Sequence, residues 1–352
     1  MNGVARTLER LVEHLRAQGI QVLVLAPDGH RTVGLVSYPE IQVAYDPWRA
    51  IRRLVDFAPD AVHLATEGPI GFWARGWLGR RNLRFTSSFH TRYPEYMAAR
   101  FGIPTGWGYQ LERWFHAGAD RTLVSTNSML KELRTLRIGR QLVLWPRGVD
   151  AAVFHPQHRQ DDLYEYKRPI WLFVGRIAVE KNLNEFLELR LPGTKVIVGD
   201  GPSRARFQQQ YPDVVWRGYR GGQELSAHYA SADYFVFPSR TETFGNVLLE
   251  ALASGVPVAS VPAPGPSDFI IEGVNGALDD DLRAACARVQ LCERSQVRPS
   301  IVHHTIQHGN QVYAENLVPV HETVSKGGTA SLWSGLGPRR QTPRATQRGL
   351  TL

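Results

Sequence analysis

Short apolar runs alternating with helical segments constrain this chain more than any other feature. Runs at 22–25, 61–64, 85–87, 123–125 and 142–144 alternate with stretches of helical pattern. The alternation stops at 155–169, HPQHRQDDLYEYKRP, which is polar and without period. It resumes with runs at 170–174, 195–198, 214–216, 234–237 and 258–261. Strands this short and apolar are buried on both faces, which means parallel sheets covered by helices. The chain therefore reads as α/β, with Rossmann-like units over 1–160 and 161–320. Ligands of such sheets bind outside the carboxyl ends of the strands, so two units facing each other across a cleft fit two substrates. A length of 352 residues suits about two domains.

The beginning is irregular. Residues 4–18 read as an amphipathic helix with Val4, Leu8, Leu11, Val12 and Leu15 on one stripe, stopped by Gly19. A doubly wound unit normally opens with a strand, but here Met1, Asn2 and Gly3 lead straight into the helix. The pattern predicts that the first strand is missing, through truncation or a misassigned start. The formal charge is +8, and Lys326, Arg339, Arg340, Arg344 and Arg348 bring five of those charges into 323–352 without an acid. Without them +3 remains, which is no nucleic-acid signature. The segment 321–352 is expected to be a disordered basic tail, too poor in apolar residues to fold alone. No run approaches the roughly 18 apolar residues of a membrane span. The N-terminus lacks a signal-peptide pattern, and Cys286 and Cys292 have no partners at zinc spacing. A reduced, cytoplasmic protein is the expected setting.

The segment SRTETFGNVLLEALASGVPV, 239–258, carries the chemistry. The run at 234–237 ends as a strand, a glycine-bearing turn follows, and Asn246 is placed to cap a helix with Val247, Leu248, Leu249, Leu252 and Ala253 as its apolar residues. Glu242 then lies in the loop before a helix N-terminus and Glu250 on the helix. A helix start suits an anion such as phosphate. Two acids beside an anion site do not bind the anion, but they can accept hydrogen bonds from hydroxyls of a sugar and a ribose. At the end of the run 170–174, Gly175-Arg176 is followed five residues later by Lys181. This puts two cations at a strand's carboxyl end, enough with the helix N-terminus to balance a diphosphate without a metal. Gly199 to Pro202, with Gly201 at the turn, allows close backbone approach. His90 follows the run at 85–87 and is placed to hydrogen-bond a transferred sugar. Asp279, Asp280 and Asp281 precede a helical stretch and read as helix-capping acids rather than a metal motif. A hydrolase pair is disfavoured, because glycosidase carboxyls stand about 5–9.5 Å apart and eight helical residues span roughly 12 Å.

With these motifs the chain resembles the retaining nucleotide-sugar glycosyltransferases of family 4, of GT-B fold, over about residues 2–320. Gly175, Arg176 and Lys181 match the GR-x4-K motif, Glu242 and Glu250 the E-x7-E motif, and GVDAAVFHP (148–156) the passage between domains. FHTRYPEY and TEGPIG (66–71) are similar to the bacterial α-mannosyltransferase and sulfoquinovosyl-lipid synthase branch. The resemblance implies that Arg176 and Lys181 bind the donor diphosphate. Glu242 and the backbone from Phe244 through Gly245 to Asn246 would contact the donor sugar, Glu250 the ribose, and His90 the sugar near its reacting carbon. Asn2 and Gly3 match the loop beside diphosphate and acceptor. It implies a GDP-mannose or UDP-hexose donor, a lipid or glycan acceptor, no cofactor and no metal, with peripheral contact at the inner membrane face as a further expectation. Arg75, Arg80, Arg81 and Arg84 near Trp73 and Trp77 are the candidate membrane residues, against a plain solvated helix face. Two alternatives stay open: a truncated, inactive nucleotide-sugar-binding remnant, and a GT-B nucleotide-sugar epimerase.

Overall fold

A computed structural model of the chain describes residues 3–35, 38–102, 104–240, 242–321 and 349–351. It divides into two compact units, one of Met1–Val124, Leu130–Trp145 and Asn310–Leu352, the other of Ser125–Met129 and Pro146–Gly309. The strands of the first are β1 Gln21–Leu23, β2 Thr32–Leu35, β3 Tyr38–Ala44, β4 Ala61–Leu64, β5 Thr86–Phe89, β6 Arg121–Val124 and β7 Leu142–Leu144. The second contains β8 Ile170–Val174, β9 Thr194–Val198, β10 Val215–Gly218, β11 Tyr234–Phe237, β12 Val258–Ser260 and β13 Gly276–Leu278.

The first sheet runs β1, then a C-terminal strand Gly349–Thr351, then β4, β5, β6 and β7, all parallel. The C-terminal strand corrects one expectation: residues 349–351 are not part of a disordered tail. Among the described residues no strand precedes the first helix, as expected, and Gly349–Thr351 lies between β1 and β4. Val22 registers with Leu350, and Leu350 with Ala61. Composition could not show this, because main-chain bonding to neighbours on both sides holds the strand and almost any sequence can make those bonds. The remainder of the tail, 322–348, lies outside the described residues. The antiparallel pair β2–β3 was also not anticipated by the alternation. The amphipathic stripe near the start forms the helix Gly3–Ala17, which buries Leu11, Val12 and Leu15.

The second sheet has the order β10, β9, β8, β11, β12, β13, again all parallel. Its centre explains the apolar runs. Ile170, Leu172 and Val174 of β8 pack with Leu248, Leu249 and Leu252 on one face. Trp171 and Phe173 pack with Leu183, Phe186 and Leu282 on the other. With both faces covered, no polar position survives along the strand, and all five residues of β8 are buried. The helix Ile306–Asn316 spans the boundary: the second unit ends at Gly309, not at the expected 320. From there Tyr313 packs in the first core, its ring 5.1 Å from Trp145 and 5.0 Å from His63.

Candidate functional site

At the carboxyl end of β8 the chain turns at Gly175 and Arg176 and reaches Lys181 at the end of a 3₁₀ turn, Val179–Lys181. The loop after β9 lies directly on this turn. Gly175 N donates to the Val198 carbonyl at 3.0 Å, and Ile177 N donates to the Asp200 carbonyl at 2.9 Å. A Cβ at Gly199 would overlap the Gly175 carbonyl, and one at Gly201 the Ile177 carbonyl. Gly201 therefore packs the Gly175–Ile177 backbone into place.

After β11, Glu242 precedes the helix Asn246–Ala253. The helix is entered through Gly245 at φ 78°, and Asn246 is its first residue rather than its cap. The expected Asn246 cap is corrected here: the left-handed turn falls on Gly245, where a Cβ would stand 2.7 Å from Leu248 Cδ1 and 3.3 Å from Glu242 Cγ. Phe244 is buried edge-on against Phe269, 5.0 Å between centroids, and Gly265 lets the neighbouring chain pass against the Phe244 carbonyl.

The structure brings the two motifs together. Lys181 Nζ donates to Glu242 Oε2 at 2.5 Å, across 61 residues of sequence. Arg147, which sequence reasoning missed, joins them. Its guanidinium lies 5.2 Å from the Phe244 ring centroid, and its charge acts on Glu242. Burial works to raise the Glu242 carboxyl, but Lys181, Arg147 and the Phe244 N–H outweigh it and hold it below the usual carboxylate range. Burial pushes Arg147 down to about 10, with Glu242 opposing. The signal for Arg147 was its place directly before GVDAAVFHP, but nothing in the sequence shows a buried arginine. Arg176 is partly buried on the same turn as Gly175. Glu250 is buried one helical stretch on, and Tyr229 O–H donates to its Oε2 at 3.0 Å. Tyr229 was not anticipated either. The acidic triple is structural, as read: Asp281 accepts from Arg283 N at 2.9 Å and caps the helix Leu282–Arg288, while Asp279 pairs with Arg288.

His90 belongs to the first unit, just past β5, and is buried with its ring 5.8 Å from Trp145. Gly3 heads the first helix, and Asn2 lies outside the described residues. The first unit also contains an ion cluster. His116 Nε2 lies 3.1 Å from Glu67 Oε1 and 3.4 Å from Glu112 Oε2, and its Nδ1 lies 2.9 Å from Ser87 Oγ. These ligand atoms are compact enough for a cation, and the protonated imidazole supplies one. Burial alone would lower His116, but Glu112 and Glu67 raise it to about 9. Stability from this pair is thus fully present below the free-histidine value of about 6.5 and lost as pH rises through about 9. His63 has the opposite shift, lowered to about 3 by burial and by His116, so its contribution is present above 6.5 and lost as pH falls toward 3. The Glu112 carboxyl, raised from about 4.5 to about 7 mainly by burial, contributes stability that is lost as pH rises through about 7, so thermal melts should show the first unit losing stability above about pH 6.5. Replacing His116 by glutamine should flatten the alkaline limb, and an unchanged limb would refute the assignment.

Comparison with known proteins agrees with this geometry. A profile described as Glycosyltransferase Family 4 matches residues 1–153, and one described as Glycosyl transferases group 1 matches 168–291. The chain is 35% identical to a GDP-mannose-dependent alpha-mannosyltransferase of Mycobacterium tuberculosis, over 79% of this chain and 80% of that one. It is 31% identical to the sulfoquinovosyl transferase SQD2 of Arabidopsis thaliana, over 78% and 60% respectively. Among solved structures, sucrose-phosphate synthase from Thermosynechococcus elongatus superposes with a TM-score of 0.66 at 20% identity, covering 89% of each chain. Anabaena HepE in complex with UDP-glucose superposes at 0.67 and 14%, covering 90% of this chain and 95% of that one. These structures share the GT-B fold with the chain. On the paired motifs, the fold and these identities, the chain belongs to glycosyltransferase family 4 and is a glycosyltransferase.

Proposed function

We propose that the protein transfers a hexose from a nucleotide diphosphate sugar, GDP-mannose in the first instance, to a lipid or glycan hydroxyl with retention of configuration and without a metal. The Lys181–Glu242–Arg147 cluster at the head of the helix Asn246–Ala253 carries this reading. Lys181, Arg176 and the helix start offer positive charge to a diphosphate. Glu242, held ionised between two cations, is a weak base and a poor nucleophile, which leaves it the role of accepting sugar hydroxyls. Glu250 faces the ribose with Tyr229 orienting it, and His90 contacts the sugar. In the transfer the anomeric carbon–phosphate oxygen bond breaks and the bond to the acceptor oxygen forms, while the acceptor proton passes to the departing phosphate. Fixed charges favour that step by stabilising the leaving group.

A lipid acceptor is supported by the helix Thr105–His116, which exposes Trp107, Leu111 and Trp114 at a spacing of four and three residues, beside exposed Tyr93 and Met97 of Tyr93–Phe101. Such a row fits a membrane interface. Of the arginines first considered, Arg75 lies over Trp114 and donates to its carbonyl at 2.6 Å, Arg81 lies over Trp77, and Arg84 pairs with Asp120. No helix among the described residues is long and apolar enough to cross a membrane. The proposal is tested with GDP-mannose, UDP-glucose and UDP-sulfoquinovose, each offered with diacylglycerol vesicles or a soluble glycan, with and without EDTA. GDP-mannose should stabilise the protein and be turned over in EDTA. A UDP-sugar preferred instead would correct the donor, and strict metal dependence would overturn the mechanism.

A further inference from the structure

Four buried side chains of the first unit form a chain of hydrogen bonds ending on His90. His63 Nδ1 lies 2.8 Å from Thr86 Oγ1, His63 Nε2 lies 2.8 Å from Ser88 Oγ, and Ser88 Oγ lies 2.9 Å from His90 Nε2. Thr86 Oγ1 also donates to the Val62 carbonyl at 3.3 Å. All four side chains are at least 97% buried. Ring contacts hold both imidazoles, His63 against Tyr313 and His90 against Trp145.

Each hydroxyl has one proton, and this settles the direction of every bond. If the Thr86 proton goes to the Val62 carbonyl, Thr86 Oγ1 must accept, so His63 Nδ1 bears a proton. Burial, and to a lesser degree His116, keeps His63 neutral, with its value lowered to about 3, so its Nε2 has no proton and must accept from Ser88. The Ser88 proton is then committed, and Ser88 Oγ can only accept from His90 Nε2–H. Any reversal leaves two acceptors facing each other at Val62 or demands a charged His63. We propose that His63 and Ser88 are positioning residues that hold the His90 ring with its Nε2–H donated to Ser88 Oγ.

The functional consequence rests on the reading of His90 as a sugar contact. A ring held this way keeps one orientation and one donor–acceptor pattern toward a sugar hydroxyl, which can itself donate or accept. The hydrogen-bond chain explains why β5, Thr-Ser-Ser-Phe, has three hydroxyl residues in a row at the centre of a buried sheet. Ser87 faces the opposite side toward His116 and Thr122, and Thr86 and Ser88 face His63.

The test uses full-length protein labelled with ¹⁵N-histidine and two-bond ¹H–¹⁵N correlation spectra of the rings. His90 should bear its proton on Nε2 and His63 on Nδ1 at neutral pH. In Ser88→Ala the His90 ring should lose the single tautomer, and kcat should fall about fivefold to tenfold, the size of one neutral hydrogen bond, with donor KM little changed. A wild-type His90 with no proton on Nε2 overturns the proposal, and so does a Ser88→Ala spectrum identical to wild type. The wild-type spectrum decides alone should Ser88→Ala fail to fold. Unchanged turnover in His90→Ala, with the tautomer as stated, would instead refute the sugar contact and leave the positioning of the ring standing.

Discussion

Replacing Lys181 by alanine should lower kcat/KM by about two to three orders of magnitude, the range seen when one preorganised partner of a developing negative charge is removed. Two losses combine. The donor loses a cation that sits on a turn packed by Gly199 and Gly201, so nothing else can move into its place cheaply. Glu242 loses the ammonium 2.5 Å from its Oε2 and is left with Arg147 and the Phe244 N–H. Its carboxyl would then drift upward, because burial is no longer outweighed to the same degree. Arginine at 181 should restore only part of the rate, since a planar fork does not reproduce a point charge on a flexible stem. Steady-state kinetics together with calorimetric donor titration measures the effect. A variant with wild-type kcat/KM and donor affinity would remove Lys181 from the site and with it the central support for a diphosphate donor.

Removing residues 349–352 should loosen the first unit sharply while sparing the second. Among the described residues β1 pairs with no strand except Gly349–Thr351, and that strand is also what joins β1 to β4. Its loss leaves main-chain groups unpaired on both neighbours, and at about 1 kcal/mol net for each hydrogen bond the cost is about 3–5 kcal/mol. Val22 of β1 packs with Leu11, Leu15 and Trp145, so that core should open as well. Hydrogen exchange gives the readout: amides of Gln21–Leu23 and Ala61–Leu64 should exchange much faster, and those of β8, β9 and β11 should not. Equal protection with and without the strand would show that it contributes nothing to the sheet.

How much was legible in advance follows from the range of each interaction. The strands of the second unit were readable because burial on both faces leaves an apolar run, and 170–174 and 234–237 coincide with β8 and β11. The placement of Arg176 and Lys181 after a strand, and of Glu242 and Glu250 before and on a helix, was readable because a strand's carboxyl end and a helix start are local features. The cap was misplaced by one residue, since the sequence shows an asparagine but not which neighbour takes the left-handed turn. Arg147 was invisible because its role depends on Phe244 and Glu242, about a hundred residues away in sequence. His90 was found by its place after a strand, but Ser88 and His63 looked like ordinary strand residues until their hydrogen bonds were counted.

The alternating pattern alone determined the fold class, two parallel sheets with helices on both faces, together with the motifs at their edges. Those properties depend on the solvent preference of successive side chains and on turns a few residues long. Only the tertiary structure decided which charge meets Glu242, which hydroxyl meets His90, and which segment lies between β1 and β4. Each of these depends on atoms from distant parts of the chain meeting at hydrogen-bond range, a distance that neither composition nor spacing encodes.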